Sequence, residues 1–397
     1  MEVTKVARRA DVMPVLEENE GYEDFIQSRR RYEEHLVSKW AYLLEGTRKQ
    51  KLKPIPEHLH KVMAMLFENQ QATCRRGSLF GEDNLKSDVT LPEKYALPII
   101  RKVYPELWIT KVGAIQPLPL SSGGVGRVFY QDFIREADDT SLTSPQPSFA
   151  LGSEGSIPQK VKMTIESETV EAEKDILGAC WSTDVQEDAR GTMGIDIESE
   201  LVDQISQEIL REHDQRCITE LVEGAGAGNA DWHWTLDEGY TAKEWYETLA
   251  DAVIDSEDLI FGYRFRNADW MLCGRNAYKF IRKMQDFKPI DRPAVGGQNI
   301  QLGVELVGRV EGFWDVYRSP YMNTNKILLG PYPRTQTDTG YIYAPYIPLG
   351  PMPLVYGEYD SDTGVYKNTD KWSRNVRTRH ATALVVPELY STVELAS

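Results

Sequence analysis

Four groups of residues carry the side chains from which chemistry is usually built. Glu166, Glu168, Glu171 and Glu173 gather carboxylates in one short stretch. Two carboxylates a few ångströms apart can cleave a glycosidic bond, one as acid and the other as base or nucleophile. That reaction also needs a pocket, which nothing around this stretch supplies, so a solvated or interface face is expected. Trp232, His233 and Trp234 form an aromatic cluster that can stack on a ligand, but a packed loop anchor is the expected role. His58 and His60 are two apart, and on a helix such positions point to different faces, which argues against shared metal ligation. Tyr359–Gly364 has the composition of a calcium loop, yet the position that needs a bidentate Glu holds Lys371.

The remaining motifs are negative. There is no G-x-x-x-x-G-K-[ST], G-x-S-x-G or H-E-x-x-H pattern. Gly224, Gly226 and Gly228 alternate without a preceding strand or a G-x-G-x-x-G register, and read as a linker, while Ser121–Gly126 reads as a turn. Cys74, Cys180, Cys217 and Cys273 are far apart with no C-x-x-C pair, as expected of reduced, mostly buried thiols. The sequence therefore predicts no catalytic residue, no cofactor and no metal site.

The elements that would position these residues are easier to read. Phe25, Tyr32, Leu36, Trp40 and Leu43 form one apolar helical stripe, followed by the basic stretch Arg48, Lys49, Lys51 and Lys53. A second helix is expected from Pro56, with Leu59, Val62, Met63, Leu66 and Phe67 on its apolar face, and Thr73–Leu91 reads as a loop. A strand is expected over Leu107–Val112. Arg127–Ile134 and Lys160–Glu166 read as two strands flanking a polar stretch, Ala137–Pro158, and together make an extended hairpin. In the second strand Val161, Met163 and Ile165 fall on one face. A lone two-stranded hairpin is marginal in water, so this one needs a surface to lie on, and another subunit is the candidate. Nothing within the chain is expected to cover Arg127–Val170.

Asp196–Val222 contains no Gly or Pro and carries Leu201, Ile205, Ile209, Cys217, Ile218, Leu221 and Val222 on one face. It predicts a helix about 40 Å long. Mixed α/β sequence follows. Thr241-x-x-Glu244 has the form of a capping box, Asp269–Gly274 of a short buried strand and Ala277–Met284 of a helix. Strands are expected at Glu305–Val310, Phe313–Arg318, Lys326–Gly330, Gly340–Tyr346 and Arg377–Val386.

The 397 residues allow two or three domains. Hydrophobic residues are 41% and charged residues 27%, which is ordinary for a globular chain. No apolar run is long enough to span a bilayer, and the N-terminus lacks a secretory apolar region, so no membrane partner is expected. The formal net charge of -16 makes the chain a poor candidate for a dedicated nucleic-acid binder, since phosphate recognition needs clustered Lys and Arg, though it could still face DNA without sticking to it.

Several strings, in order, resemble the major capsid proteins of tailed bacteriophages, with the HK97-like fold, and within them the T4-like branch. They are Ala96–Phe133, Val170–Ile218, Trp270–Met284, Thr339–Leu349 and Val376–Tyr390. Within the second, Gln186-Glu187-Asp188, the run Gly194-Ile195-Asp196 with Glu198, Glu200 and Leu201, and Glu208-Ile209 with Glu212 match the family's pattern. The resemblance implies an α+β HK97-like capsid fold. Its N-terminal helical arm would be residues 1–91, the first part of the peripheral domain 92–125, and the extended E-loop β-hairpin 126–173. The peripheral domain with the long spine helix would be 174–223, the axial α/β domain 224–345, and the return to the peripheral domain with the C-terminal strand 346–397.

The implied function is a non-enzymatic subunit that self-assembles into hexamers and pentamers around phage double-stranded DNA. Portal, scaffold and decoration proteins are the implied partners, and the virion, built in the host bacterial cytoplasm, the implied location. Intersubunit contacts are expected at Arg127, Tyr130, Phe133, Val161, Met163, Ile165, Phe25 and Trp40, with Arg48–Lys53 meeting acidic neighbours or DNA. Leu16-Glu17-Glu18 has the form of the family's propeptide site, but with Met1 present no cleavage is expected. The alternatives are an encapsulin-type nanocompartment shell and, from another class, a soluble hydrolase using Trp232–Trp234 or the Glu166–Glu173 run.

Overall fold

The computed structural model describes residues 22–45, 54–79, 100–101, 104, 107–119, 123–135, 161–192, 194, 196–290, 303–310, 312–352, 354–360 and 365–396. The Leu16-Glu17-Glu18 site, Arg48–Lys53 and the hairpin tip Ala137–Pro158 lie outside the described residues.

The fold is mixed α+β. Helices α1 (Tyr22–Leu44) and α2 (His60–Leu79) pack against each other, joined by the contact of Trp40 with Phe67 at 5.6 Å between ring centroids. The Trp40 indole donates to Glu68 at 3.0 Å, and Lys39 pairs with the same carboxylate at 2.6 Å. Two of the expectations change here. Helix α2 runs to Leu79, past the point where a loop was expected from Thr73. The helical pair is also part of the main core rather than a free arm, because Leu36, Trp40, Leu44, Met63, Leu66 and Phe67 are buried in one cluster with the long helix and the first sheet. Asn69 adds a polar tie, donating at 3.0 Å to the carbonyls of Leu118 and Tyr346.

The stretch Leu107–Val112 is not a strand. It forms the short helix α3 (Ile109–Val112) ahead of β1 (Ala114–Ile115). Its N-terminal amides are held by a buried carboxylate, Asp214, which accepts from Trp108 at 3.3 Å and Ile109 at 3.1 Å. Such orphan amides need an acceptor. The hairpin strands are β2 (Val125–Arg135) and β3 (Val161–Glu171), and β4 (Glu173–Ser182) follows directly. After α4 (Thr183–Thr192) comes the long helix α5 (Ile197–Glu223). It buries Val202, Ile205, Ile209, Leu210, Cys217, Ile218 and Leu221, the three-and-four spacing expected of a packed stripe.

Two larger sheets complete the molecule. In the first, β1 lies beside β11 (Tyr341–Pro351), and β13 (Val365–Leu384) pairs with β11, with β12 (Val355–Asp360) and with β4. The second has seven strands in the order β5-β14-β10-β6-β9-β8-β7, where β5 is Gly228–His233, β6 Trp270–Cys273, β7 Phe287–Pro289, β8 Glu305–Val310, β9 Trp314–Arg318, β10 Lys326–Gly330 and β14 Ser391–Ala396. Helices α6 (Ala242–Arg264) and α7 (Arg275–Ile281) cover it, and the Thr241–Glu244 capping box is formed in full. Period-two alternation sorts this sheet's side chains between two cores. Trp270, Leu272 and Leu328 face the core shared with the helical pair, whereas Met271, Cys273, Ile327 and Leu329 face α6 and α7. The chain end differs from expectation. Beyond β13, the strand β14 enters the second sheet, parallel to β5 and antiparallel to β10, because Val393 and Leu395 complete its inner face.

Candidate functional site: an open β-ribbon and its root

Strands β2 and β3 form a two-stranded sheet in unbroken antiparallel register from Val125 opposite Glu171 to Arg135 opposite Val161. Directly opposed residues share a face. One face therefore carries positions 127, 129, 131, 133 and 135 with 161, 163, 165, 167 and 169, and the other carries positions 128, 130, 132 and 134 with 162, 164, 166, 168 and 170.

The two faces do different work. Val128 and Val170 sit in a core cluster with Leu118, Ile342, Ala344, Tyr346, Ala381 and Ala383, and Tyr130 packs against it. The Tyr130 hydroxyl donates to Glu166 at 2.6 Å. The outer edge of β2 is also tied down. Gln116 donates to the carbonyls of Phe129 and Gln336, both at 2.7 Å, and accepts from the Phe129 amide at 2.9 Å. The Gln131 amide donates to the Thr337 carbonyl at 3.1 Å. Residues 165–169 of β3, by contrast, are exposed throughout, with Ile165 at 38%. Among the described residues no strand pairs with the second edge of β3.

These facts revise the expected contact set. Arg127 and Ile165 are exposed and lie on the open face. Positions 133, 161 and 163 fall on that face by register, and position 25 lies in α1; the side chains of Phe133, Val161, Met163 and Phe25 lie outside the described residues. Tyr130 belongs to the opposite, core-facing side, so the structure does not bring it together with the others. Trp40 is buried in its own chain against Phe67 and Glu68. The expectation that no intrachain surface covers Arg127–Val170 fails at the root, where Val128 and Val170 are buried, because their alternation with Arg127 and Thr169 turns them onto the first sheet.

Other flagged groups resolve simply. Glu166, Glu168, Glu171 and Glu173 are exposed side chains along β3 and β4. Trp232 and His233 lie in strand β5 rather than a loop. Trp232 is buried and stacks on Trp245 at 6.3 Å, the packed anchor expected of it. Cys217 and Cys273 are buried and Cys180 is exposed. Burial pushes both buried thiols up, which keeps them protonated.

Behind the ribbon's root lies a polar cluster that the motif search did not find. Asp175 of β4, His213 of α5 and His380 of β13 bring one oxygen and two nitrogens together, and the two imidazole rings are 4.0 Å apart. The His213 hydrogen bond holds Asp175 well below the usual carboxylate range, with His380 and Arg216 adding to the effect. Burial, reinforced by His213, pushes His380 down. The available signal was a polar pair, His213-Asp214, at two positions where the α5 stripe calls for apolar residues.

The family model for the major capsid protein Gp23 matches residues 137–366, more than half of the chain. The chain belongs to the Gp23 major capsid protein family. It is a structural subunit that self-associates into a virus shell, not an enzyme, and its place is the virion. No curated protein matches the sequence. Solved structures similar to this chain include one from Microbacterium phage Oxtober96, with 15% identity, a TM-score of 0.45, and coverage of 72% of this chain and 90% of that one. The capsid structure of cyanophage P-SCSP1u shows 11% identity and a TM-score of 0.44 over 73% of this chain and 88% of that one. Mycobacterium phage Bobi gives 11% and 0.46 over 73% and 90%. Neither the nanocompartment nor the hydrolase alternative gains support from the family match. Among the described residues no helix is long and apolar enough to cross a membrane.

Proposed function

We propose that this Gp23-family subunit builds an HK97-like head of hexamers and pentamers around double-stranded DNA, and that the β2–β3 ribbon is its principal reach toward neighbouring subunits. The observation that carries this reading is the ribbon's asymmetry. Its root is clamped by Val128, Val170 and Gln116, while residues 165–169 are exposed and β3 keeps an open edge. An open edge strand is a template for pairing with another chain, and proteins that keep one usually cover it on assembly. Of the contact residues expected from the sequence, Arg127 and Ile165 are exposed on this face, which by register also carries positions 133, 161 and 163. The ribbon takes the part of the E-loop, α5 that of the spine, and the seven-stranded sheet with α6 and α7 that of the axial domain. A shell built this way buries far more than a standard interface of about 1,600 Å².

The net charge of -16 suits a wall that must enclose DNA without gripping it. Scaffold, portal and decoration proteins are the expected assembly partners, and synthesis takes place in the host bacterial cytoplasm. Electron microscopy of the purified chain tests the reading. Closed shells with five- and six-fold clusters are expected, and Ile165→Asp, which places a charge on a face exposed in the subunit, should leave folded chains that do not close. Closed shells from the variant would remove the ribbon from the interface, and a stable monomer from the wild type would remove the assembly reading.

A further inference from the structure

We propose that Asp175, His213 and His380 form a divalent transition-metal site, suited to zinc, that pins the base of the hairpin to the long helix and to β13. The Asp175 Oδ2 lies 3.2 Å from Nε2 of His213 and 3.4 Å from Nδ1 of His380. Two ligands of a tetrahedral zinc ion, each about 2.0–2.1 Å from the metal, stand roughly 3.3 Å apart. Both separations from Asp175 match that edge before any metal enters, and all three ligand atoms lie within 4.8 Å of one another.

A second observation points the same way. Both histidines are buried at 2% exposure. Only His213 makes a hydrogen bond to Asp175, at 3.2 Å, whereas Nδ1 of His380 is buried without one although it sits beside the same oxygen. A buried polar atom without a partner is costly, and a metal ion would satisfy it. The ligand chemistry also fits, since imidazole nitrogens and a carboxylate are a common zinc donor set.

The surroundings supply charge and orientation. Arg216 reaches the other Asp175 oxygen at 3.3 Å and fixes the carboxylate, as outer partners do around metal ligands. Its positive charge is outnumbered by Asp175, Glu173 at 3.7 Å and Glu212 at 3.9 Å, so the neighbourhood stays net negative. The Asp175 side chain is 17% exposed, so solvent reaches the cluster at this residue. The three ligands come from β4, α5 and β13, so a bound ion would cross-link the strand that follows the ribbon to the two longest elements of its support.

The test uses the full-length chain, stripped with chelator, reloaded with zinc and dialysed. Elemental analysis should find close to one zinc per chain, and zinc but not magnesium should raise the thermal midpoint. His213→Gln and His380→Gln should each lose the bound zinc, while His233→Gln, which alters an exposed histidine paired with Asp237, should retain it. A wild type that holds no stoichiometric zinc, or folded site variants that hold as much as the wild type, would overturn the proposal. If the site variants do not fold, X-ray absorption at the zinc edge of the loaded wild type decides. Two imidazoles in a nitrogen and oxygen shell support the site, and a shell with sulfur or without imidazole refutes it.

Discussion

Asp214 shows how one buried side chain can make the stability of the fold depend on pH. Its carboxylate is the acceptor for the α3 amides of Trp108 and Ile109, yet burial dominates and raises its pKa to about 7. A carboxyl group with a raised folded-state pKa holds its proton more tightly in the fold than in the unfolded chain. Its contribution is therefore full below the unfolded value of 3.8 and is lost as pH rises to about 7. The loss is of the order of 4 kcal/mol at most. His380 acts in the opposite sense below its ordinary value of 6.5, because the fold keeps it neutral. The difference in stability between wild type and Asp214→Asn isolates the aspartate. That difference should shift in favour of the variant as pH is raised from about 4 to 7, and a flat difference in unfolding free energy across the range would show that Asp214 is ionised throughout. Neither this residue nor its neighbour His213 was legible as special in the sequence. Histidine and aspartate on an otherwise apolar stripe are a weak signal, and their partners lie far away along the chain, Asp175 and His380 for His213, and the amides of Trp108 and Ile109 for Asp214.

At the scale of elements, the ribbon depends on a clamp that carries little apolar area. Gln116 satisfies both backbone groups of Phe129 and reaches the Gln336 carbonyl as well. Gln116→Leu keeps the volume and removes all of these bonds. Unfolding free energy should fall by about 2–3 kcal/mol, since leaving such groups unpaired is what costs. Exchange of the Phe129 amide should speed up, and unchanged exchange would show that the ribbon is held by Val128 and Val170 alone. Elements whose pattern is local were readable. The hairpin strands, the long helix, the Thr241 capping box, and the strands at 305–310 and 326–330 all follow from periodicity and turn residues. Elements governed by distant partners were not. Leu107–Val112 has the composition of a strand, but Asp214 supplies an acceptor for helical amides there. Ser391–Ala396 is a short run near the chain end, and only the register of β5 and β10 makes it a strand. Trp40 looked like an exposed anchor because its stripe has no partner in sequence; the partner is the parallel stripe of α2.

At the scale of the whole molecule, the described body buries three apolar cores, whereas residues 165–169 of the ribbon are exposed throughout. Two of these cores lie on opposite faces of the second sheet, and the body also keeps large apolar side chains exposed, Phe261, Phe265 and Phe313 among them. The ribbon's described outer part has exposed residues on both faces of β3 and an unpaired edge, the arrangement least able to hold its own hydrogen bonds in water. Stability should therefore be unequal along the chain, with local opening concentrated where buried contacts are fewest. Hydrogen exchange on unassembled Ile165→Asp subunits and on wild-type shells separates the two regions. Amides of residues 166–169 should exchange at least about tenfold more slowly in shells, the change that roughly 1.4 kcal/mol of added protection produces. Amides of α5 and of the sheet beneath the root should be protected in both forms. Equal rates at 166–169 would mean that the ribbon is as stable alone as in company, and its open edge would then have no role in assembly. A change spread over the body as well would point to a subunit that folds fully only on joining the shell, in conflict with the self-contained cores seen here.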